Sequence, residues 1–168
     1  MNLSISNELL ESDEQQIEGL LVDSFYGKLD RKYLGIFILG LQFIASKDPE
    51  FGGCDHIFVA RDGEKLIGVS MYCRSGIGGY EYNHTFTEDM SVYKNKKGLH
   101  GEITCILREY QNKGIGRMLF EEAKKIEGID YIYGLQDKKV GTIGFWKKMG
   151  RRVIGESDDD FITLIDLK

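Results

Sequence analysis

The hydrophobic positions at the start of the chain change their spacing, and the change predicts a strand followed by two helices. Leu3 and Ile5 alternate with polar residues, a period of two that is typical of a strand. After Ser12, a residue type that caps helices, the stretch EQQIEGLLVDSF has helical spacing. A second helix is predicted over 30–46. The first helix is expected to turn four apolar side chains inward: Ile17, Leu20, Leu21 and Phe25.

The middle of the chain has the features of antiparallel strands. Residues 46–55 hold the only proline and two glycines, so they are expected to form a loop. HIFVARDGEKLIGVSMYC predicts a hairpin whose turn lies at 61–64. The aromatic spacing of 76–98 suggests further strands, while its glycines leave a mobile lid as an alternative.

The second half of the chain alternates strand and helix patterns. Strands are predicted at 101–109 and 129–136, helices at 115–127 and 140–150, and a closing hairpin at 151–156 and 160–168. In the helix at 115–127 the inward side chains are expected to be Ile115, Leu119, Ala123 and Ile126. The helix at 140–150 is expected to end at Gly150. The order of elements predicts one domain over 1–168 with an α/β (α+β) fold, in which helices cover a mixed, mostly antiparallel sheet.

Charge and composition narrow the classes of function. The net charge of −5 argues against a nucleic-acid partner and mildly favours a cationic one, such as an amine. The longest apolar run, 33–41, is about half of the roughly 20 residues that span a bilayer, so no membrane partner is expected. The N-terminus lacks the pattern of a secretory signal, and Cys54, Cys73 and Cys105 form no CxxC pair. We therefore expect a cytoplasmic protein without a metal site.

The nonapeptide QNKGIGRML, residues 111–119, joins a predicted strand to a predicted helix. The first N–H groups of a helix lack internal partners and attract anions, phosphates above all. Gly114 and Gly116 would allow close approach of a ligand to the backbone, and Lys113 and Arg117 would add positive charge. The stretch matches neither a P-loop nor a GxGxxG fingerprint. It therefore predicts a phosphate-binding loop, with a plain strand-to-helix turn in a glycine-rich chain as the alternative.

The residues around this loop resemble a known family. REYQNKGIGRMLFEEA resembles motif A of the GCN5-related N-acetyltransferases (GNAT), with Arg108 in the usual proline position. About 30 residues later, IGFWKKMGRRVIG resembles motif B of the same family. The order of elements also fits the family over nearly the whole chain, although the specific motifs occupy only 101–155. The resemblance implies the GNAT fold, acetyl-CoA as the acyl donor and a primary amine as the acceptor, and a homodimer only by analogy.

The resemblance also implies the residues that would hold acetyl-CoA. The backbone groups of Thr104 and Ile106 would pair with the pantetheine arm, where the family splays this strand from the next one. The pyrophosphate would lie against the backbone amides of Gln111, Asn112, Lys113, Gly114, Ile115, Gly116 and Arg117.

Acetyl transfer to an amine needs a base, and the family often places one on the motif A strand. Alternation puts His100, Glu102 and Thr104 on one face of this strand, so Glu102 is the first candidate and His100 the second. An ordinary strand-edge role is the alternative for both residues. The family's usual motif B tyrosine, which would act as the acid, is replaced by Trp146. Trp146 would then pack against the pantetheine arm or belong to the core, and either Tyr133 protonates the thiolate or the thiolate leaves unassisted.

The sequence leaves the acceptor open between a small molecule and a peptide or protein amine. Direct transfer in a ternary complex is favoured over a covalent Cys105 intermediate, because a mid-strand cysteine has no evident activating partner. A non-catalytic acyl-CoA-binding module of the same fold is the second hypothesis. The aromatic set Tyr80, Tyr82, His84 and Phe86 would line an acceptor pocket or simply pack between strands, and the acidic run 156–160 would attract a cation or simply form a solvated turn.

Overall fold

The computed structural model describes residues 1–26, 28–29, 31–45, 56–80 and 83–167. These residues form two compact units. The first unit contains Met1–Tyr72 and Ile103–Ala123, and the second contains Cys73–Glu102 and Lys124–Lys168. The predicted loop at 46–55 lies outside the described residues. One domain over 1–168 stays a prediction.

In the first unit, strand β1 (Leu3–Ser6) is followed by helices α1 (Glu14–Ser24) and α2 (Arg31–Ala45), then by strands β2 (His56–Asp62) and β3 (Lys65–Arg74). The predicted hairpin is confirmed, with a tighter turn than expected, because Asp62 pairs with Lys65 and only Gly63 and Glu64 connect the strands. The strand and the two helices predicted at the start of the chain are confirmed.

The helices of the first unit cover one face of its strands through a continuous apolar core. Members from α1 and α2 are Ile17, Leu20, Leu21, Leu34 and Leu41, and members from the strands are Val59, Val69, Ile103 and Cys105. The predicted Ser12 cap is wrong, because a 3-10 turn at Glu11–Asp13 precedes α1. Asp13 accepts a hydrogen bond from the Leu10 N–H at 2.7 Å and pairs with the buried Arg61 guanidinium.

Strand β5 (Gly98–Ile106) belongs to both units, since the division falls between Glu102 and Ile103. It is followed by a 3-10 turn at Arg108–Tyr110 and by α3 (Ile115–Lys124). Ile115, Leu119 and Ala123 are buried as predicted, whereas Ile126 lies beyond the end of the helix. The strand order in the first unit is β1-β2-β3-β5.

The second unit is built on the strands of its C-terminal part. Its elements are β4 (Thr85–Phe86), β6 (Tyr131–Asp137), α4 (Ile143–Lys148), β7 (Arg152–Glu156) and β8 (Asp160–Asp166). The strand order is β5-β6-β8-β7-β4, and β6–β8, β8–β7 and β7–β4 pair antiparallel while β5–β6 pairs parallel. The closing hairpin and the end of α4 before Gly150 are as predicted. The mixed, mostly antiparallel α/β architecture is therefore confirmed.

The stretch at 76–98 differs most from its prediction. Between residues 76 and 97, the described part contains 3-10 turns at Ile77–Tyr80 and Met90–Tyr93 and the two-residue strand β4. Ile77 and Tyr93, one from each 3-10 turn, pack in a core with Tyr131 and Tyr133, so buried contacts hold these two turns. In the part of the chain that the structure describes, no helix is long and apolar enough to cross a membrane.

Candidate active site

The phosphate-binding loop predicted at 111–117 has a backbone that turns sharply between β5 and α3. Asn112 and Gly114 both have left-handed conformations, with φ of 62° and 84°. Asparagine and glycine are the residues that adopt this region most readily. The first bond of α3 runs from the Met118 N–H to the Gly114 carbonyl at 3.1 Å. The local sequence therefore places the N-terminus of α3 directly after two turn residues.

The backbone amides of this loop are the groups that fit an anion. Among the described residues, no backbone acceptor meets the N–H groups of 112–117. Gln111 differs from its prediction: its N–H already donates to the Arg108 carbonyl at 3.1 Å, which closes the 3-10 turn. The Gln111 side chain donates to the Ile106 carbonyl at 2.9 Å, so this residue ties the loop to the end of β5. Six amides, from Asn112 to Arg117, remain at the positive end of the α3 dipole.

Positive side chains lie beside these amides. Lys113 and Arg117 are both exposed. The Lys113 ammonium lies 4.9 Å from the centre of the Tyr110 ring, and the Lys65 ammonium lies 5.4 Å from it. The Tyr110 hydroxyl donates to Asp62 at 3.0 Å, which fixes the ring. The loop thus combines free amides with cations, and this combination fits the pyrophosphate of acetyl-CoA.

The edge of β5 bears on the pantetheine prediction. The Leu107 N–H donates to the Ile67 carbonyl of β3 at 2.9 Å, so alternation turns the backbone groups of Thr104 and Ile106 to the other edge. The parallel ladder to β6 covers only Gly98–His100 and Tyr131–Tyr133. The Ile106 carbonyl is taken by Gln111, whereas the peptide groups of Thr104 lie beyond the ladder.

Glu102 and His100 lie together in the second unit. The His100 Nδ1 is 2.7 Å from the Glu102 Oε1. His100 is buried, and the Glu102 side chain is 31% exposed. The hydrogen bond from His100 lowers the pKa of Glu102, and a hydrogen bond from the Cys73 thiol adds to this effect, while partial burial opposes it. Glu102 is therefore an ionised carboxylate at neutral pH, with its charge accessible to a bound molecule.

Tyr133, the candidate acid, is 1% exposed. Its hydroxyl lies 2.6 Å from the Ser75 Oγ and donates to the Gly76 carbonyl at 3.1 Å. Its ring stacks on His100 with centroids 4.7 Å apart and planes at 20°. These contacts favour a role in holding neighbouring side chains, and the acid role stays a prediction.

Trp146 lies in α4 and is 7% exposed. The Arg151 guanidinium carbon is 4.0 Å from the centre of the indole ring, and Phe145 makes an edge contact at 4.8 Å. Arg151 is itself buried. The cation–π contact explains how a charged residue is held at this position. It also makes Trp146 part of the packing of the second unit, and a contact with pantetheine stays a prediction.

Other candidate groups have plainer surroundings. Burial raises the pKa of the Cys105 thiol to about 12, so the thiol is protonated and a poor nucleophile at neutral pH. Within the described residues no group of three His, Cys, Asp or Glu could hold a metal ion. Tyr82 and the side chain of Tyr80 lie outside the described residues, and Phe86 packs in the second unit's core. In the acidic turn, burial raises the pKa of Asp160, and the nearby Asp137 adds to this effect.

Cys73 and Ser75 contact the candidate residues, although nothing in their sequence pattern indicated a role. Cys73 hydrogen-bonds to Glu102, and Ser75 hydrogen-bonds to Tyr133. Both residues lie at or just after the end of β3. Only the register between strands brings them to these positions, and strand register is not visible in a single sequence.

Comparison with known proteins places this geometry in a family. Residues 53–150, more than half of the chain, match the family model of the acetyltransferase (GNAT) domain. No curated protein matches the chain.

Solved structures with the same fold share little sequence with this chain. A GNAT-family protein from Desulfovibrio desulfuricans is 13% identical, with 99% of each chain covered and a TM-score of 0.72. PaiA N-acetyltransferase from Thermoplasma acidophilum, solved with coenzyme A, is 17% identical over 99% of each chain, with a TM-score of 0.70. NAA60 from Arabidopsis thaliana, solved with acetyl-CoA, is 17% identical over 98% of each chain, with a TM-score of 0.64. The match of the family model, together with this shared fold, shows that the chain belongs to the GNAT acetyltransferase family.

Proposed function

We propose that this protein is an acetyl-CoA-dependent N-acetyltransferase that transfers the acetyl group directly to a primary amine in a ternary complex. The observation that carries the proposal is the ionised Glu102 carboxylate on β5, the same strand that leads into the loop of free amides at 112–117. When bound, acetyl-CoA supplies an activated thioester. The N–H groups of 112–117, with Lys113 and Arg117, bind its pyrophosphate, and the Thr104 backbone orients its pantetheine arm.

Glu102 has the chemistry that the acceptor requires. An amine with a pKa near 10.4 is neutral in only about one part in 2,500 at pH 7, which costs about 4.6 kcal/mol. A carboxylate that stays ionised at this pH attracts the ammonium form and accepts its proton, directly or through one water. Because the pKa of Glu102 is lowered, it is a weak base, so its contribution depends on close placement.

The departing thiolate does not require a strong acid. A thiol pKa near 8.5 makes the thiolate a tolerable leaving group at neutral pH. The Tyr133 hydroxyl is already bonded to Ser75 and Gly76, and an indole N–H is not a usable acid. Unassisted departure therefore fits these side chains better than protonation by Tyr133 or Trp146.

The direct test is to mix the protein, acetyl-CoA and a panel of amines and to follow free thiol. The panel contains polyamines, aminoglycosides, amino acids and peptides, because the acceptor is proposed only as a small-molecule or peptide amine. We expect thiol release above background with at least one class, and loss of this release in Glu102→Gln with acetyl-CoA affinity unchanged. Thiol release that is unchanged in Glu102→Gln would contradict the role of Glu102 as the base, while the proposal of an acetyltransferase would stand.

Trp146 favours a second candidate, a non-catalytic acyl-CoA-binding module. It replaces the family's usual tyrosine, and its ring contacts Phe145 and the Arg151 guanidinium. Tight CoA binding without thiol release across the whole panel would support this module and contradict the enzyme.

A further inference from the structure

A series of side-chain contacts leads from the end of β3 to the Glu102 carboxylate within the second unit. The Ser75 Oγ lies 2.6 Å from the Tyr133 hydroxyl, and this hydroxyl also donates to the Gly76 carbonyl at 3.1 Å. The Tyr133 ring stacks on the His100 ring at 4.7 Å, and the His100 Nδ1 lies 2.7 Å from Glu102. The contacts therefore connect Ser75 to Tyr133, Tyr133 to His100, and His100 to Glu102.

We propose that Tyr133 and Ser75 are positioning residues, which hold the His100 ring so that its Nδ1 faces and orients the Glu102 carboxylate. The proposal rests on the proposed function only for the role of Glu102 as the base. The contacts themselves do not depend on which amine is acetylated.

The place of these residues in the sheet explains why Glu102 needs such support. His100 and Tyr133 form the last pair of the parallel β5–β6 ladder, and the ladder ends before Glu102. The main chain of β6 therefore does not fix the edge of β5 at Glu102, and a half-exposed carboxylate has several rotamers available. The buried ring of His100, which stacks on Tyr133 and contacts Glu102, limits that freedom.

Anchoring at the far end of Tyr133 gives the stack its rigidity. A buried tyrosine hydroxyl requires hydrogen-bond partners, and Ser75 and the Gly76 carbonyl provide them. Without the hydroxyl the ring keeps its apolar contacts but loses the bonds that fix its tilt. His100 would then sample more orientations, and the 2.7 Å contact with Glu102 would weaken.

The groups that face Glu102 come from two strands. His100 lies on the same strand, and among the described residues the Cys73 thiol of β3 also donates a hydrogen bond to Glu102. Tyr133 of β6 acts on Glu102 only through His100. Both donors lower the pKa of Glu102, so weakening the His100 contact should raise it.

The test uses Tyr133→Phe and Ser75→Ala in the full chain, with Tyr93→Phe as a matched control. Tyr93 is also a buried tyrosine of the second unit, but its hydroxyl bonds to Glu88 and Arg152. The readout that does not need activity is the proton NMR signal of the His100 ring N–H bonded to Glu102. The chain has only three histidines, and His100→Gln identifies the signal by its loss.

We expect the ring N–H signal to be sharp in the unmodified protein and in Tyr93→Phe, and broadened by exchange in both test variants. In acetyl transfer we expect kcat to fall about ten-fold in the test variants, with KM for acetyl-CoA unchanged. This loss is smaller than the roughly 100-fold cost of misplacing a reacting group by 1 Å, because Glu102 is loosened rather than displaced. The acidic limb of kcat/KM should move to higher pH.

Different results separate the two proposals. A broadened signal in a protein that acetylates no amine supports the positioning contacts and removes only the proposed function. An unchanged signal and an unchanged pH profile in folded Tyr133→Phe and Ser75→Ala overturn the positioning proposal, whether or not the enzyme is active.

Discussion

At the scale of single residues, Glu102 is the side chain whose charge state matters most for the proposed chemistry. Its pKa lies below the ordinary value of 4.5, chiefly because His100 donates a hydrogen bond to it. Glu102→Gln keeps the size of the side chain and removes its basicity. We expect kcat to fall by about 10² to 10⁴, the range for loss of a general base, with no change in acetyl-CoA affinity.

The pH dependence of the unmodified enzyme follows from the same lowered pKa. Glu102 gains its proton only as the pH falls through a value below 4.5, so its basic form persists throughout neutral and mildly acidic conditions. We expect the half-maximal loss of kcat/KM from Glu102 protonation to fall below pH 4.5, measured with an acceptor whose own ionisation is corrected for. An acidic limb with its midpoint above pH 4.5 that disappears in His100→Gln would instead assign the base to His100.

The buried ion pair between Asp13 and Arg61 gives a prediction about stability rather than activity. Asp13 is 1% exposed, and Arg61 also bonds to the Ser6 hydroxyl at 2.9 Å and the Glu8 carbonyl at 3.3 Å. Asp13→Ala leaves the guanidinium buried without its counter-charge, so urea unfolding should show a loss of about 3–5 kcal/mol. The exposed pair of Lys65 and Glu109 is the control, and Glu109→Gln should leave the unfolding midpoint unchanged. Equal effects of the two variants would contradict this reasoning.

At the scale of elements, the loop before α3 depends on a backbone conformation. Gly114 has φ of 84°, and a Cβ there would meet no atom within 4 Å, so strain rather than collision opposes substitution. Gly114→Val should cost about 1–3 kcal/mol if the loop keeps its shape. If the loop relaxes instead, its amides turn away, and acetyl-CoA affinity falls. Equilibrium binding of CoA measures the effect.

The matched control for the loop is Gly19→Ala in α1. Gly19 also has open space around it, but it lies inside a helix with an ordinary φ. Alanine there should stabilise the protein by about 0.5–1 kcal/mol and leave CoA affinity unchanged. Unaltered CoA affinity in a Gly114→Val protein that has also lost no stability, so that its loop has relaxed, would show that the 112–117 amides do not hold the ligand.

The elements that sequence patterns predicted well are those whose burial repeats with a clear period. Helix α3 follows from Ile115, Leu119 and Ala123, and the closing hairpin follows from its two strand patterns. Strand β5 begins at Gly98 rather than Gly101, because pairing with Tyr131 extends it over residues with little strand preference of their own. The two 3-10 turns at Ile77–Tyr80 and Met90–Tyr93 follow no such period, since Ile77 and Tyr93 pack against residues distant in sequence.

At the scale of the whole molecule, sequence motifs indicated the family and the acyl donor, but they could not place side chains against one another. Motif A located the amides of 112–117, although it did not show that the Gln111 amide is already bonded. Alternation along β5 put Glu102 and His100 on one face, and the structure brings them to 2.7 Å. The contacts of Cys73 with Glu102 and of Ser75 with Tyr133 depend on the register between strands, which cannot be predicted from a single sequence.

The whole molecule should also report ligand binding as a gain in thermal stability. Acetyl-CoA at about 100 times its Kd adds about 2.7 kcal/mol to a protein that binds it only when folded. For a chain of this length, each kcal/mol raises Tm by about 2–4 °C, so a rise of about 5–11 °C is expected. Trp146 is the only tryptophan and lies in the second unit, so its fluorescence follows that unit, while circular dichroism follows both. Binding at the 112–117 amides should raise the circular dichroism midpoint, and this rise should be smaller in a Gly114→Val protein of lowered CoA affinity. The separate prediction that pantetheine contacts Trp146 implies a rise in the fluorescence midpoint. A rise in circular dichroism alone, with the fluorescence midpoint unmoved, would contradict the contact with Trp146.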